Sequence, residues 1–223
     1  ELRSPNPKSN TYLVIAAGLL AMLDGIKASL CVHKTPKELY KSLAKTYGEP
    51  DFYLEEKRVY RAEGNIFTDY SEEERTMLFG PTPKTVWDNL KSFDIYPEKT
   101  NVLFEGDSFT RIDLESFKVA ALEIWTLELH DRIVPELRNS VKKCCVKLHE
   151  EDSALDNNRY NTIVSLAKEI AQDAENRNSL LTRLSRALED ENYELAAKLQ
   201  VETLEKVAAL EAVYTEYKKN ILC

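Results

Sequence analysis

Through the second half of this 223-residue chain, hydrophobic positions recur at intervals of three and four, the spacing of one helical face. Thr110, with Asp113 three residues on, opens a long helix whose face reads Leu114, Phe117, Ala121, Ile124, Trp125 and Leu129. Pro135 is expected to kink or end it, because proline has no N–H and crowds the preceding turn. The pattern resumes through Val141 and Leu148, and the acidic, Asn-rich stretch 150–158 reads as a connection. A second helix is expected over about 159–175, with Tyr160, Ile163, Ala167, Ile170 and Ala174 on one face, broken by Asn176 and Asn178. Ser179 caps a further helix through Leu188. From Tyr193 onward, Leu199, Thr203, Val207, Leu210, Tyr214, Tyr217 and Ile221 follow heptad spacing. Long helices with short connectors predict an antiparallel bundle.

The first half is more broken. Pro5 and Pro7 make residues 1–9 an extended entry segment. Asn10 then caps a helix from Thr11 to about Leu30 that is apolar on nearly every face through Leu23. Such a helix is expected to be buried in protein, not all of which need lie in this chain. Its apolar run, Tyr12 to Leu23, stops at Asp24, short of the roughly 20 residues that span a bilayer, so no membrane is expected. Thr35, Pro36 and Glu38 form a capping box opening a short helix, and residues 49–70 read as an irregular loop. Ser71 and Glu74 repeat the box, and Thr82 with Pro83 marks a helix over roughly 83–94.

Composition sharpens this into an all-α expectation. There are 6 Gly and 8 Pro in the chain, and from Asp107 to Cys223 there is no Gly and one Pro, Pro135. Tight β-turns draw on both residues, so helix rather than sheet is expected there. The expected segments are 1–32, an entry strand and buried helix; 33–106, irregular with short helices; and 107–223, the bundle. The net charge of −8 is unevenly spread: residues 1–45 hold 7 basic and 3 acidic groups, leaving 23 basic and 35 acidic groups elsewhere. Without a clustered basic face, nucleic acid is not an expected partner. Four cysteines, two of them adjacent (Cys144 and Cys145), with no C-x-x-C, read as reduced thiols in a cytoplasmic protein.

Few residues offer chemistry. No phosphate-binding glycine loop and no G-x-S-x-G occurs. His33, His130 and His149 lack a second His or a Cys at i+3 or i+4, and the acidic H-E-E-D at 149–152 reads as a solvated connector. Cys144 and Cys145, flanked by Lys142, Lys143 and Lys147, read as small helix residues rather than activated thiols. In the extended entry, Glu1 and Arg3 are alternate residues expected on one face, either an ordinary surface pair or a carboxylate able to hold a hard cation beside a guanidinium able to hold an anion.

E-L-R-S-P-N-P-K-S-N-T-Y-L at 1–13, followed by L-D-G-I at 23–26, resembles the glutamine synthetase segment usually written E-x-R-x-P-D-P-x-x-N-P-Y-L, then a helix ending in L-D-G-I. Y-S-E-E-E-R at 70–75, P-T-P-K-T-V-W-D-N-L at 81–90 and L-F-E-G-D-S-F-T at 103–110 are similar to elements that follow it there, and the resemblance extends to about residue 134. It implies a C-terminal portion of an α+β catalytic domain that joins ammonia to L-glutamate at the expense of ATP through γ-glutamyl phosphate. It implies that Glu1 is a ligand of an active-site Mg2+ or Mn2+ and that Arg3 binds the glutamate substrate. No catalytic residue is carried over, and the nucleotide residues and remaining ligands are expected upstream of Glu1. The longer polypeptide is expected to form a homo-oligomeric ring such as a dodecamer.

Thr11 stands where that family has proline, and Phe67 in N-I-F stands where some bacterial members have the tyrosine that is adenylylated, so that control is expected to be absent, with no adenylyl group on Tyr70. About 30 extra residues around 33–62 and nearly 90 after Pro135 resemble the type III enzymes. Periodicity alone also fits a second reading, a non-catalytic oligomerisation or interaction module pairing through the heptad of the last helix.

Overall fold

The computed structural model describes residues 10–31, 33–38, 68, 70–79, 81–148 and 153–219. Among them the chain forms nine α-helices and no β-strand, as an all-α chain should. It divides into two units, Glu1–Pro83 with Phe93–Leu114, and Lys84–Ser92 with Glu115–Cys223. Residues 84–92, placed by sequence in the irregular segment, therefore belong with the long helices.

The first unit is led by α1 (Thr11–Cys31). Asn10 starts it as expected, its Oδ1 accepting from the N–H groups of Tyr12 (3.0 Å) and Leu13 (3.3 Å). Both are first-turn donors with no partner inside the helix. The helix packs on a 3₁₀ segment, Val102–Asp107, and Lys27 pairs with Glu105 there. The burial expected of α1 is not found among the described residues. Leu20 is buried, whereas Tyr12, Leu13, Ile15, Leu19, Met22, Ile26 and Leu30 are each more than half exposed. At 21 residues α1 also runs well past its apolar stretch, and by length and composition alone it could cross a bilayer. Among the described residues this unit also holds α2 (Glu72–Phe79) and α4 (Pro97–Asn101). The 3₁₀ segment is kinked towards its end, at Gly106 (φ 62°) and Asp107 (φ 56°). Both lie in the left-handed region, which glycine enters freely and aspartate tolerates.

The second unit holds most of α3 (Val86–Ile95), the body of α5 (Arg111–Glu128), and α6 (Val134–Cys144), α7 (Ala154–Ala171), α8 (Leu180–Glu189) and α9 (Tyr193–Lys219). Its core gathers Trp125, Leu129, Val134, Val141, Ile163, Ala167, Ile170, Leu180, Leu181, Leu184, Leu199, Val207, Leu210 and Tyr217. Helices α7 and α9 are antiparallel: Arg159 Nη1 donates to the Glu216 carbonyl (3.3 Å), while ten residues further along α7 Glu169 pairs with Lys206 (3.1 Å), ten residues earlier in α9. The α5–α6 run follows α9 in the same direction. Trp125 Nε1 donates to Gln200 Oε1 (3.1 Å) near the start of α9, and Leu148 N donates to the Tyr217 hydroxyl (3.4 Å) near its end. The result is an up-down-up arrangement in which α8 and α9 form a tight hairpin, closed by Asn192 N donating to the Ala187 carbonyl (2.8 Å).

Local chemistry sets the boundaries. Helix α3 begins three residues later than the Thr82–Pro83 signal suggests, because Thr85 and Asp88 form a better box. Asp88 N donates to Thr85 Oγ1 (3.2 Å) and Asp88 Oδ2 accepts from Thr85 N (3.1 Å). Helix α7 begins at Ala154 rather than about 159, because Ser153 Oγ accepts from Asp156 N (3.2 Å), and it ends at Ala171, four residues before the expected Glu175. A turn with mutual Ala174 and Arg177 backbone bonds (2.8 and 3.1 Å) follows it. Pro135 neither ends nor sharply breaks the α5–α6 run. A π-helical turn over Leu129–Ile133 precedes it, the wider turn that removes the clash of the ring with an earlier carbonyl. The inward face of α5 also differs from expectation. Trp125 and Leu129 are buried, but Phe117 and Ile124 point outward, and Leu122 lies against the core in their place.

Candidate functional site

The two residues assigned chemistry by the sequence, Glu1 and Arg3, lie outside the described residues, as do His149, Phe67 and Cys223. What the structure shows is the element that follows them. Asn10 fixes where α1 begins, and L-D-G-I falls at residues 23–26, in the second half of that helix. Gly18 and Gly25 face open space, where an added Cβ would meet nothing within 4 Å. Nothing among the described residues therefore requires a glycine at either place.

The described histidines do not assemble a site. His33 is exposed, with φ 49°. His130 Nδ1 lies 2.6 Å from Asp131 Oδ1, but both side chains are well exposed, at 62% and 68%, and nothing converges on them. A general base needs a substrate position within hydrogen-bond reach and some shelter from water, and this pair has no such shelter. Among the described residues no group of three His, Cys, Asp or Glu side chains could hold a metal ion. A hard divalent cation takes about six or more oxygen ligands, so Glu1 would need partners beyond the described residues.

The adjacent thiols read as expected. Cys144 is buried and Cys145 half-buried, and burial pushes both thiols up, with Glu211 adding to the effect at Cys144. The nearby lysines do not reverse this, so neither is an activated nucleophile. The Cys145 carbonyl accepts from the Tyr160 hydroxyl (3.1 Å), which ties the end of α6 to α7.

The most perturbed carboxyl is Glu194, which sequence reasoning does not single out. Lys91 Nζ (2.8 Å) and Trp87 Nε1 (2.9 Å) both donate to its Oε2, and these hydrogen bonds hold its pKa down to about 2 from an ordinary 4.5. Its partners are on α3 and it opens α9, so it fastens those two helices. The Trp87 and Tyr193 rings lie 5.5 Å apart and Trp125 lies 6.5 Å from Tyr193. These tilted ring pairs form an aromatic joint under the clasp. Every polar atom named here has a partner within the fold, so the joint is structural rather than a ligand site. The signal is present in sequence only as two tryptophans and a tyrosine of unassigned partners.

No family model, curated protein or solved structure matches the chain.

Proposed function

We propose that this chain is the C-terminal portion of a glutamine synthetase, contributing Glu1 and Arg3 to the site where L-glutamate is phosphorylated by ATP and then aminated. The observation that carries the reading is the entry segment E-L-R-S-P-N-P with L-D-G-I ten residues after Leu13, on a helix that Asn10 caps where that family's pattern begins its helix. The uncovered apolar surface of α1 supports it. A helix apolar on most sides is stable where protein surrounds it, and in this reading the surrounding strands belong to an upstream part of the same polypeptide.

The chemistry assigned to Arg3 follows from its group. A guanidinium is always charged and its planar fork matches a carboxylate or phosphate with two parallel hydrogen bonds. Held beside the glutamate substrate, it fixes the anion and offsets charge that builds as the γ-phosphoryl group moves onto the side-chain carboxylate, before ammonia displaces phosphate. A divalent cation, with Glu1 as one of its ligands, supplies neutralisation between the two anions. Replacing Arg3 by Ala in the intact polypeptide should weaken glutamate binding by about 10- to 100-fold, the worth of one charged hydrogen-bonded contact. Steady-state KM for glutamate checks this, and unchanged glutamate binding in the Arg3→Ala protein would refute the assignment. The second reading, a module that oligomerises through the terminal heptad, meets an occupied seam: Leu199, Thr203, Val207, Leu210 and Tyr217 are buried within the chain's own second unit.

A further inference from the structure

In a chain of net charge −8, the stretch 137–148 contains Arg138, Lys142, Lys143 and Lys147 and no acidic residue. Arg138 and Lys142 stand at i and i+4, so they share one face of α6. That face borders a groove of about 360 Å³ between α6 and α7, and from the α7 side Lys168 borders it too. Arg138, Lys142 and Lys168 are solvent-exposed and none has a carboxylate partner among the described residues, although the nearby carboxylates of Glu136 and Glu169 are committed to Arg132 and Lys206.

The floor between the cations is apolar. Val141 and Ala167 are buried, and Ala171 lies one turn beyond Ala167 on the same face. Two alanines one turn apart leave a shallow trough where larger side chains would close the helices together, and the Lys and Arg stems wall it while their heads stay at the rim. Residues 138 to 145 span two helical turns, so the trough is about 10 Å long. Long charged side chains ordinarily stay near opposite charge on a mixed surface. Here three of one sign border an apolar floor, with no carboxylate partner among the described residues.

We infer that the α6–α7 groove binds a small amphipathic anion, with an apolar body up to about 10 Å long lying on Val141, Ala167 and Ala171 and a carboxylate or phosphate head held by Arg138, Lys142 and Lys168. Charge complementarity selects the head and the length of the trough limits the body. This assignment is independent of the proposed ligase activity and concerns a different unit of the chain from Glu1 and Arg3.

The test uses the whole 223-residue chain with octanoate as probe, titrated by isothermal calorimetry and by chemical-shift changes. The expected result is saturable 1:1 binding that weakens at least about tenfold in the Arg138→Gln/Lys142→Gln/Lys168→Gln protein, the loss of roughly one charged contact or more. These positions are exposed, so circular dichroism should show an unchanged fold. Ala171→Leu fills the trough and leaves the cations in place, and it should also abolish binding. Octanol, which keeps the body and lacks the charge, should bind at least about tenfold more weakly than octanoate. Equal octanoate binding by the wild type and the triple variant overturns the proposal, as does an Asp/Glu-rich peptide that binds this groove more tightly than octanoate.

Discussion

Single residues set the limits of each helix and the pH behaviour of the joint between them. Thr85 with Asp88 and Thr110 with Asp113 are reciprocal caps, and hydrogen bonds from Thr110 hold the Asp113 carboxyl below its usual range. Thr85→Ala should cost about 0.5–2 kcal/mol in urea unfolding, because it exposes helix N–H groups without a partner. The Glu194 carboxyl has its pKa lowered in the fold, so its clasp contributes in full above the ordinary value of 4.5 and is lost as pH falls from there towards about 2. Glu194→Gln should therefore flatten the pH dependence of stability between about 4.5 and 2. Because Trp87 donates to this carboxylate, its fluorescence should follow the same transition in the wild type and not in the variant. An unaltered acid profile in Glu194→Gln would place the acid sensitivity elsewhere.

At the scale of elements, periodicity in the sequence locates the long helices, and the residues that change the picture are those whose partners are remote. Helix α9 is legible because its heptad positions Leu199, Thr203, Val207, Leu210 and Tyr217 are buried, with Tyr214 half-buried, and α8 because Ser179 and the following Leu180, Leu181 and Leu184 agree. The start of α7 is hidden because Ser153 and Asp156 sit inside an acidic stretch that reads as solvated connector, although their spacing is a cap. The face of α5 is ambiguous in sequence because apolar residues occupy nearly all sides of that helix. Partners remote in sequence settle the face: Trp125 meets Gln200 and Tyr193 of α9 and Leu129 is buried, while Phe117 and Ile124 are exposed. The basic groove is half visible, since Lys142 stands beside the thiols in sequence but Lys168 joins it only through the packing of α6 on α7. Helix packing of this kind makes a definite forecast for the heptad. Leu210→Ala should destabilise the second unit by about 2–5 kcal/mol, the range for emptying a buried leucine site. Leu210→Glu with Tyr214→Glu should unfold that unit, read as loss of helical signal, whereas an intermolecular coil would dissociate into folded monomers.

For the molecule as a whole, two helices, α1 and α5, carry large apolar side chains that the described residues leave exposed. Helix α1 does so most plainly, and it is the helix joined directly to the residues of proposed function. Its cap and its length are legible in sequence to within one residue, but its expected burial rests on the rule that an all-round apolar helix must be enclosed, and the enclosing protein is not among the described residues. The candidate site rests on the sequence alone: Glu1 and Arg3 lie outside the described residues, and the further ligands they would need are not among the described residues. The ligase assignment is tested most directly on the product of the full reading frame that contains this segment. Incubated with L-glutamate, ATP, ammonia and Mg2+ or Mn2+, that polypeptide should form glutamine, and omission of any one of the four should stop it. A folded, full-length product that forms no glutamine under these conditions would contradict it.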